Sequence, residues 1–179
     1  MPLAIVGMAD CGWSADPSEV LITYALGSCI GVAIHDPVAK VGGLLHFMLP
    51  DSAIDRTKAA ANPFMFADTG LPLLFRRAFE LGAQKHRLVV RVAGGSQVLD
   101  PNGVFSIGKR NYAALKKILW KAGILVQSED VGGSGSRTLR LDVETGRCSI
   151  RTGAGVEMEL RACTRAPHAK GAEPCLSRC

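Results

Sequence analysis

Between Val20 and Pro50 three short apolar runs are separated by two hard breaks, and that pattern admits few folds. Val20 to Ala25 is rich in apolar and β-branched residues and ends at the turn Gly27-Ser28. Ile30 to Ile34 sets Ile30, Val32 and Ile34 against Gly31 and Ala33, a period of two with small side chains on one face. Asp36-Pro37 breaks that run, and Val41 to Met48 supplies the third before Pro50. Runs of this length between turn residues read as strands. If the connection from Asp36 to Gly42 is a hairpin, the second and third strands lie side by side.

The rest of the chain fits around them. Leu3 to Met8 reads as a first strand. Asp51 to Pro63 is polar and alanine-rich without a period, and reads as a mobile loop. Asp68 or Thr69 can cap a helix running to about Leu81, with Pro72 acceptable only in its first turn and Gly82 as its stop. Leu88 to Val92 is a buried strand entering Gly94-Gly95. Asn111 to Ala122 is an amphipathic helix: Leu115, Ile118, Leu119 and Ala122 share one face, and Lys116, Lys117 and Lys121 lie towards solvent. Ile124 to Val126, a hairpin of Thr138–Val143 with Cys148–Arg151 around Thr145-Gly146, and Val156 to Leu160 are further strands. Many strands and two helices predict an α+β or layered α/β domain.

Composition narrows the class of protein. At 179 residues, 47% hydrophobic and 21% charged, the chain fits one soluble domain. No apolar run approaches the ~18 residues that span a bilayer, and no basic segment followed by an apolar core opens the chain. The expectation is a cytoplasmic protein whose thiols stay reduced. Cys11, Cys29 and Cys148 are scattered, and Cys163, Cys175 and Cys179 fall near the end, so no disulfide framework is indicated. The formal charge of +5 is concentrated late, where Arg161, Arg165, Lys170 and Arg178 face one acid, Glu173. The body is close to neutral, which argues against a nucleic-acid surface. The chain therefore divides into a domain over 1–162 and a disordered, basic, cysteine-containing tail over 163–179. Cys163, His168, Cys175 and Cys179 match no compact zinc finger, and no metal is expected. Gly132-Gly133-Ser134-Gly135 lacks the Lys-Ser/Thr ending of a phosphate loop and reads as a flexible connection.

Two residues carry possible chemistry. Cys29 closes Leu26-Gly27-Ser28-Cys29, and His46 sits in the apolar run Gly42 to Pro50. A thiol hydrolase needs a thiol to attack a carbonyl and an imidazole to move its proton. A cysteine beside a β-branched run is ordinarily a small buried hydrophobe, and a histidine in an apolar run is ordinarily a core residue. Spacing leaves both readings open. His35 is a rival base, but an extended chain puts six residues at roughly 20 Å, and the Asp36-Pro37 turn suggests solvent exposure. His46, on the next strand, can return beside Cys29.

The segment from Val20 through Cys29 to His46-Phe-Met-Leu-Pro-Asp51 resembles the signature of the CheD family, the chemoreceptor glutamine deamidases. Val92-Ala-Gly-Gly-Ser96, Ile107-Gly-Lys-Arg-Asn111, Glu129-Asp-Val-Gly-Gly133 and Glu144-Thr-Gly146 resemble further family elements in the family's order. The resemblance spans roughly residues 3–160. It implies a single-domain layered fold with a β-sandwich core and flanking helices. It implies Cys29 as nucleophile, His46 as base, and Thr23 orienting His46. A threonine brings one hydrogen bond and no charge, so it would stabilise imidazolium less than an aspartate would. The reaction implied is hydrolysis of glutamine side-chain amides in the cytoplasmic helical domains of chemoreceptors, through a thioester and with no cofactor. Methyl ester hydrolysis at similar receptor sites is implied as well. The Cys29 backbone N–H and Ser28 are candidate oxyanion donors. Ser96 is a candidate for positioning substrate, against the simpler reading of a tight turn. Arg110 and Asn111 are candidates for docking receptor or a CheC-type phosphatase, although Asn111 could simply cap its helix. Gln97 and the aromatic-poor stretch after Asp51 depart from the expected pattern. The alternative is a non-enzymatic adaptor or phosphatase-binding module with a vestigial Cys29.

Overall fold

A computed structural model describes residues 2–97, 106–153, 155 and 157–161. Among these residues ten strands form two sheets of five. The first sheet orders β1 (Leu3–Ile5), β3 (Val20–Leu26), β8 (Arg137–Asp142), β9 (Cys148–Thr152) and β10 (Glu157–Glu159). The second orders β2 (Asp10–Ser14), β5 (Val41–Phe47), β4 (Ile30–Asp36), β6 (Val89–Gly94) and β7 (Ser128–Val131). The sheets pack face to face through Leu21, Leu26, Ala33, Leu44, Leu139, Leu141 and Ile150. The other face of the second sheet is covered by α2 (Ala67–Glu80) and α3 (Ile107–Lys121), through Leu71, Leu74, Leu115 and Leu119. The result is the expected α+β layered fold: sheet, sheet, helices.

The central strands β4 and β5 are buried on both faces, which is why their sequences are apolar apart from His35, Asp36 and His46. Ile30, Val32 and Ile34 meet the helices, while Gly31 and Ala33 face the other sheet. The small side chains are needed there. A Cβ on Gly31 would lie 2.8 Å from a Leu26 methyl and 2.9 Å from one of Leu139. The Asp36–Gly42 connection is a hairpin, with Gly31 opposite His46 and Asp36 opposite Val41.

Several expectations are corrected. Asp10–Ser14 is a second strand, separate from Leu3–Ile5. Asp51 to Pro63 is no loop. Asp51, Asp55 and Asn62 each cap a short helical turn, over Ser52–Ile54, α1 (Arg56–Ala61) and Pro63–Met65. Side-chain capping holds these turns where no hydrophobic period announces them. α2 starts at Ala67 because Phe66 and Ala67 are buried and Ala67 N–H donates to Leu49 O. Asp68 therefore lies inside the helix and accepts bonds from the Ser52 N–H and hydroxyl, and Pro72 is past the first turn. The strand expected at Ile124–Val126 forms instead at Ser128–Val131, parallel to β6. α3 begins four residues before Asn111, which is not its cap. The proposed tail 163–179 and its candidate zinc ligands lie outside the described residues. So do residues 98–105.

Candidate active site

Thr23 and His46 meet at one end of the sandwich, and the turn that carries Cys29 lies at the same end. His46 is on β5 directly across from Gly31. Cys29 stands two residues before Gly31, just outside β4, and packs against the core between the sheets. Two residues is one full period of a strand, so Cys29 and His46 share the inner face as diagonal neighbours. Thr23 faces them from the opposite sheet rather than from an adjoining strand. Its Oγ1 lies 2.8 Å from His46 Nδ1. The pairing of β3 with β8 shifts register between Thr23 and Leu26, and Ala25 there has φ +56°. This bulge returns Leu26 to the inner face, beneath the turn that leads to Cys29.

Thr23 is fully buried and His46 is 2% exposed. His46 Nε2 has no hydrogen-bond partner among the described residues. One ring nitrogen is thus fixed by Thr23 and the other is left open. Burial lowers the His46 pKa to about 4, against a smaller upward pull from Asp10, its partner across β2. Burial also raises the Cys29 thiol, and its own backbone N–H acts in the opposite direction. At neutral pH the pair therefore rests as thiol and neutral imidazole. Cys11 and Cys148 are buried and their thiols are pushed far up.

His35 is not exposed as its turn suggested. It is 2% exposed, and its Nε2 bonds Val143 O at 2.9 Å. Asp36 beside it is fully buried, accepting from Val38, Ala39 and Gln84 N–H groups and pairing with Arg87, while Pro37 and Val38 of the turn itself are exposed. With its ring bonded to the backbone, His35 remains remote from Cys29 along β4.

The Gly-Gly loop lies directly under the Cys29 turn. Gly95 N–H donates to Cys29 O and Ser96 N–H donates to Gly27 O, both at 2.8 Å. Gly94 has φ +111°, and a Cβ there would sit 2.2 Å from Cys29 O. Only glycine permits this approach. Ser96 is fully buried, and its hydroxyl has no partner among the described residues. Asn111 is also fully buried, and so offers no surface for docking; Arg110 beside it is exposed. The Asn111 amide donates to Ser28 O at 3.0 Å and to Met48 O at 2.8 Å. This link was missed from sequence, although the signal was present: Asn111 falls on the buried stripe of Leu115 and Leu119. Among the described residues no cluster of three His, Cys, Asp or Glu side chains could hold a metal ion.

A buried, singly tethered imidazole and a half-buried thiol at one end of the sandwich are the two groups a thiol hydrolase needs. Comparison with known proteins gives the family. Residues 48–152 match the family model described as CheD chemotactic sensory transduction. A protein of Solibacter usitatus (strain Ellin6076) named "Probable chemoreceptor glutamine deamidase CheD" is 56% identical over 160 residues, covering 89% of this chain and 94% of its own. A protein of Syntrophus aciditrophicus (strain SB) named "Probable chemoreceptor glutamine deamidase CheD 1" is 49% identical, covering 87% and 98%. One of Anaeromyxobacter dehalogenans (strain 2CP-C), named "Probable chemoreceptor glutamine deamidase CheD 2", is 48% identical, covering 86% and 96%. The chain belongs to the CheD family.

Proposed function

We propose that this protein is a chemoreceptor glutamine deamidase in which Cys29 is the nucleophile, His46 the base and Thr23 the residue that orients His46. The observation that carries the assignment is the 2.8 Å contact of Thr23 Oγ1 with His46 Nδ1 across the sandwich. It leaves Nε2 open on the face that Cys29 shares. For Nε2 to accept a proton, Nδ1 must carry the ring hydrogen and donate it to Thr23 Oγ1. Nε2 takes the thiol proton as Cys29 Sγ adds to the carbon of the glutamine side-chain amide. The tetrahedral intermediate collapses, and His46 returns the proton to the leaving nitrogen. Ammonia departs and a thioester remains. Water gives a proton to His46 as its oxygen attacks the thioester, and the Cys29 thiol is restored as glutamate is released. The oxyanion is held by the Cys29 backbone N–H with a second donor from Ser28 or the buried Ser96 hydroxyl.

The substrates are the cytoplasmic helical domains of chemoreceptors, and the protein works in the cytoplasm. No helix among the described residues is long and apolar enough to cross a membrane. A groove of about 510 Å³ is lined by the cations Arg110, Lys117 and Lys121 and the acids Asp51 and Asp68, together with apolar side chains such as Ile118. This groove adjoins the strand end after His46 and is a suitable place for an amphipathic receptor helix. A CheC-type phosphatase is the further partner expected. The relatives' names speak of glutamine deamidation, and we restrict the proposal to it.

The test is incubation with receptor cytoplasmic domains followed by peptide mass spectrometry. Conversion of particular glutamines to glutamate, lost in Cys29→Ala, is expected. No conversion of any receptor glutamine by the wild-type protein would refute the assignment and favour the adaptor alternative.

A further inference from the structure

We propose that Asn111 is a positioning residue that holds the Cys29 turn and the His46 strand in register. The β4–β5 ladder has Ile30 and Phe47 as its last paired residues at this end. Beyond them the two chains part. One becomes the Gly27–Cys29 turn. The other runs on as Met48 and Leu49, whose N–H groups turn away to Met65 O. The Asn111 side chain spans the gap. One amide nitrogen donates to the carbonyl of Ser28, immediately before the thiol, and to the carbonyl of Met48, two residues after the imidazole. Both of its hydrogens are spent on the two chains that bear the reacting groups.

The bridge is itself anchored. Leu115 and Leu119, one and two turns further along α3, are buried between the helices and the second sheet. Gly108, one turn before Asn111, packs so closely on the loop under Cys29 that a Cβ would lie 2.4 Å from Gly95 O. The helix thus presents Asn111 from a fixed support. The residue type is constrained too. Aspartate has nearly the same shape but lacks the two hydrogens, and its carboxylate would face two carbonyl oxygens. Leucine or alanine would leave both carbonyls without this donor. Asn111 Oδ1 is buried with no partner among the described residues, an arrangement that weakens the fold. A residue chosen for packing alone would avoid it.

The inference rests on the thiol–imidazole reading, and its test separates the two. Asn111→Asp and Asn111→Ala are compared with wild type and His46→Ala, on the folded fraction recovered by gel filtration. The first readout is receptor deamidation. Misplacement of reacting groups by about 1 Å costs on the order of a hundredfold in rate, so kcat should fall by about that factor with KM changed less than about twofold. The second is the pH profile of Cys29 alkylation by a small reagent, which needs no receptor. Both variants should move from the wild-type profile towards that of His46→Ala. If wild type deamidates no receptor, the functional assignment fails, while the alkylation profiles still decide the role of Asn111. Variants with wild-type kcat per folded molecule, or with losses confined to KM, would overturn the proposal. So would an unchanged alkylation profile, or failure of both variants to give any folded protein, which would make Asn111 a folding residue only.

Discussion

Replacing His46 by asparagine should remove a large part of the protein's sensitivity to acid. Burial holds the folded-state pKa of His46 at about 4, against 6.5 for the free side chain. The unfolded chain therefore takes up this proton first as pH falls. Stability is lost progressively between about 6.5 and 4, and no more is lost through this group once both states are protonated. At about 1.4 kcal/mol per unit of pKa, the full penalty is about 3 kcal/mol. That is a large fraction of the ~5–15 kcal/mol that typically separates folded from unfolded. The measurement is urea unfolding followed by circular dichroism from pH 7 to pH 4. The cost of the smaller side chain is common to every pH and drops out of the slope. His35, also lowered by burial, titrates in both proteins and cancels. The loss of stability from pH 7 to pH 4 should be about 3 kcal/mol smaller in His46→Asn. Parallel curves for the two proteins would refute the claim that His46 is buried neutral.

Other changes should act more locally. Cys29→Ala should abolish turnover with the fold intact, whereas Cys11→Ala and Cys148→Ala should retain it; equal losses at all three would mean that the wrong thiol has been chosen. A thiol reagent followed by peptide mapping should modify Cys29 first, and Cys11 and Cys148 only on unfolding. Thr23→Ala removes one hydrogen bond worth about 1 kcal/mol, so kcat should fall about fivefold; full activity would remove Thr23 from the site. Gly94→Ala forces a Cβ against the Cys29 carbonyl at positive φ and should cost about 1–3 kcal/mol in chemical denaturation together with most of the activity. Wild-type stability and activity in that variant would show that the Cys29 turn can move freely.

Much of this was legible in the sequence because it rests on local signals. The three runs from Val20 to Pro50 gave β3, β4 and β5, and the small residues of one face of Ile30–Ile34 marked where the sheets meet closely. The same runs put His46 on the strand next to Ile30–Ile34, and the short hairpin sets it opposite Gly31. What was not legible depends on distant parts of the chain. The capped turns after Asp51 rest on single side-chain bonds rather than on a period. His35 is buried because Val143, more than a hundred residues away, supplies a carbonyl for its ring. Asn111 read as a docking residue or a cap because its partners, Ser28 and Met48, lie on segments remote in sequence. Thr23 reaches His46 from the facing sheet, which no strand period could have shown.

The central claim is that Cys29 itself carries the glutamyl group. Its most direct test is an acid quench of the wild-type protein during turnover of a receptor domain, with the digest searched for a Cys29 peptide joined to a glutamine-site peptide. The account predicts that species with the mass of the two peptides less ammonia, formed on Cys29 alone, absent from Cys29→Ala and released by hydroxylamine as a glutamyl hydroxamate. Undiminished deamidation by Cys29→Ala, with no such adduct in the wild-type digest, would contradict it.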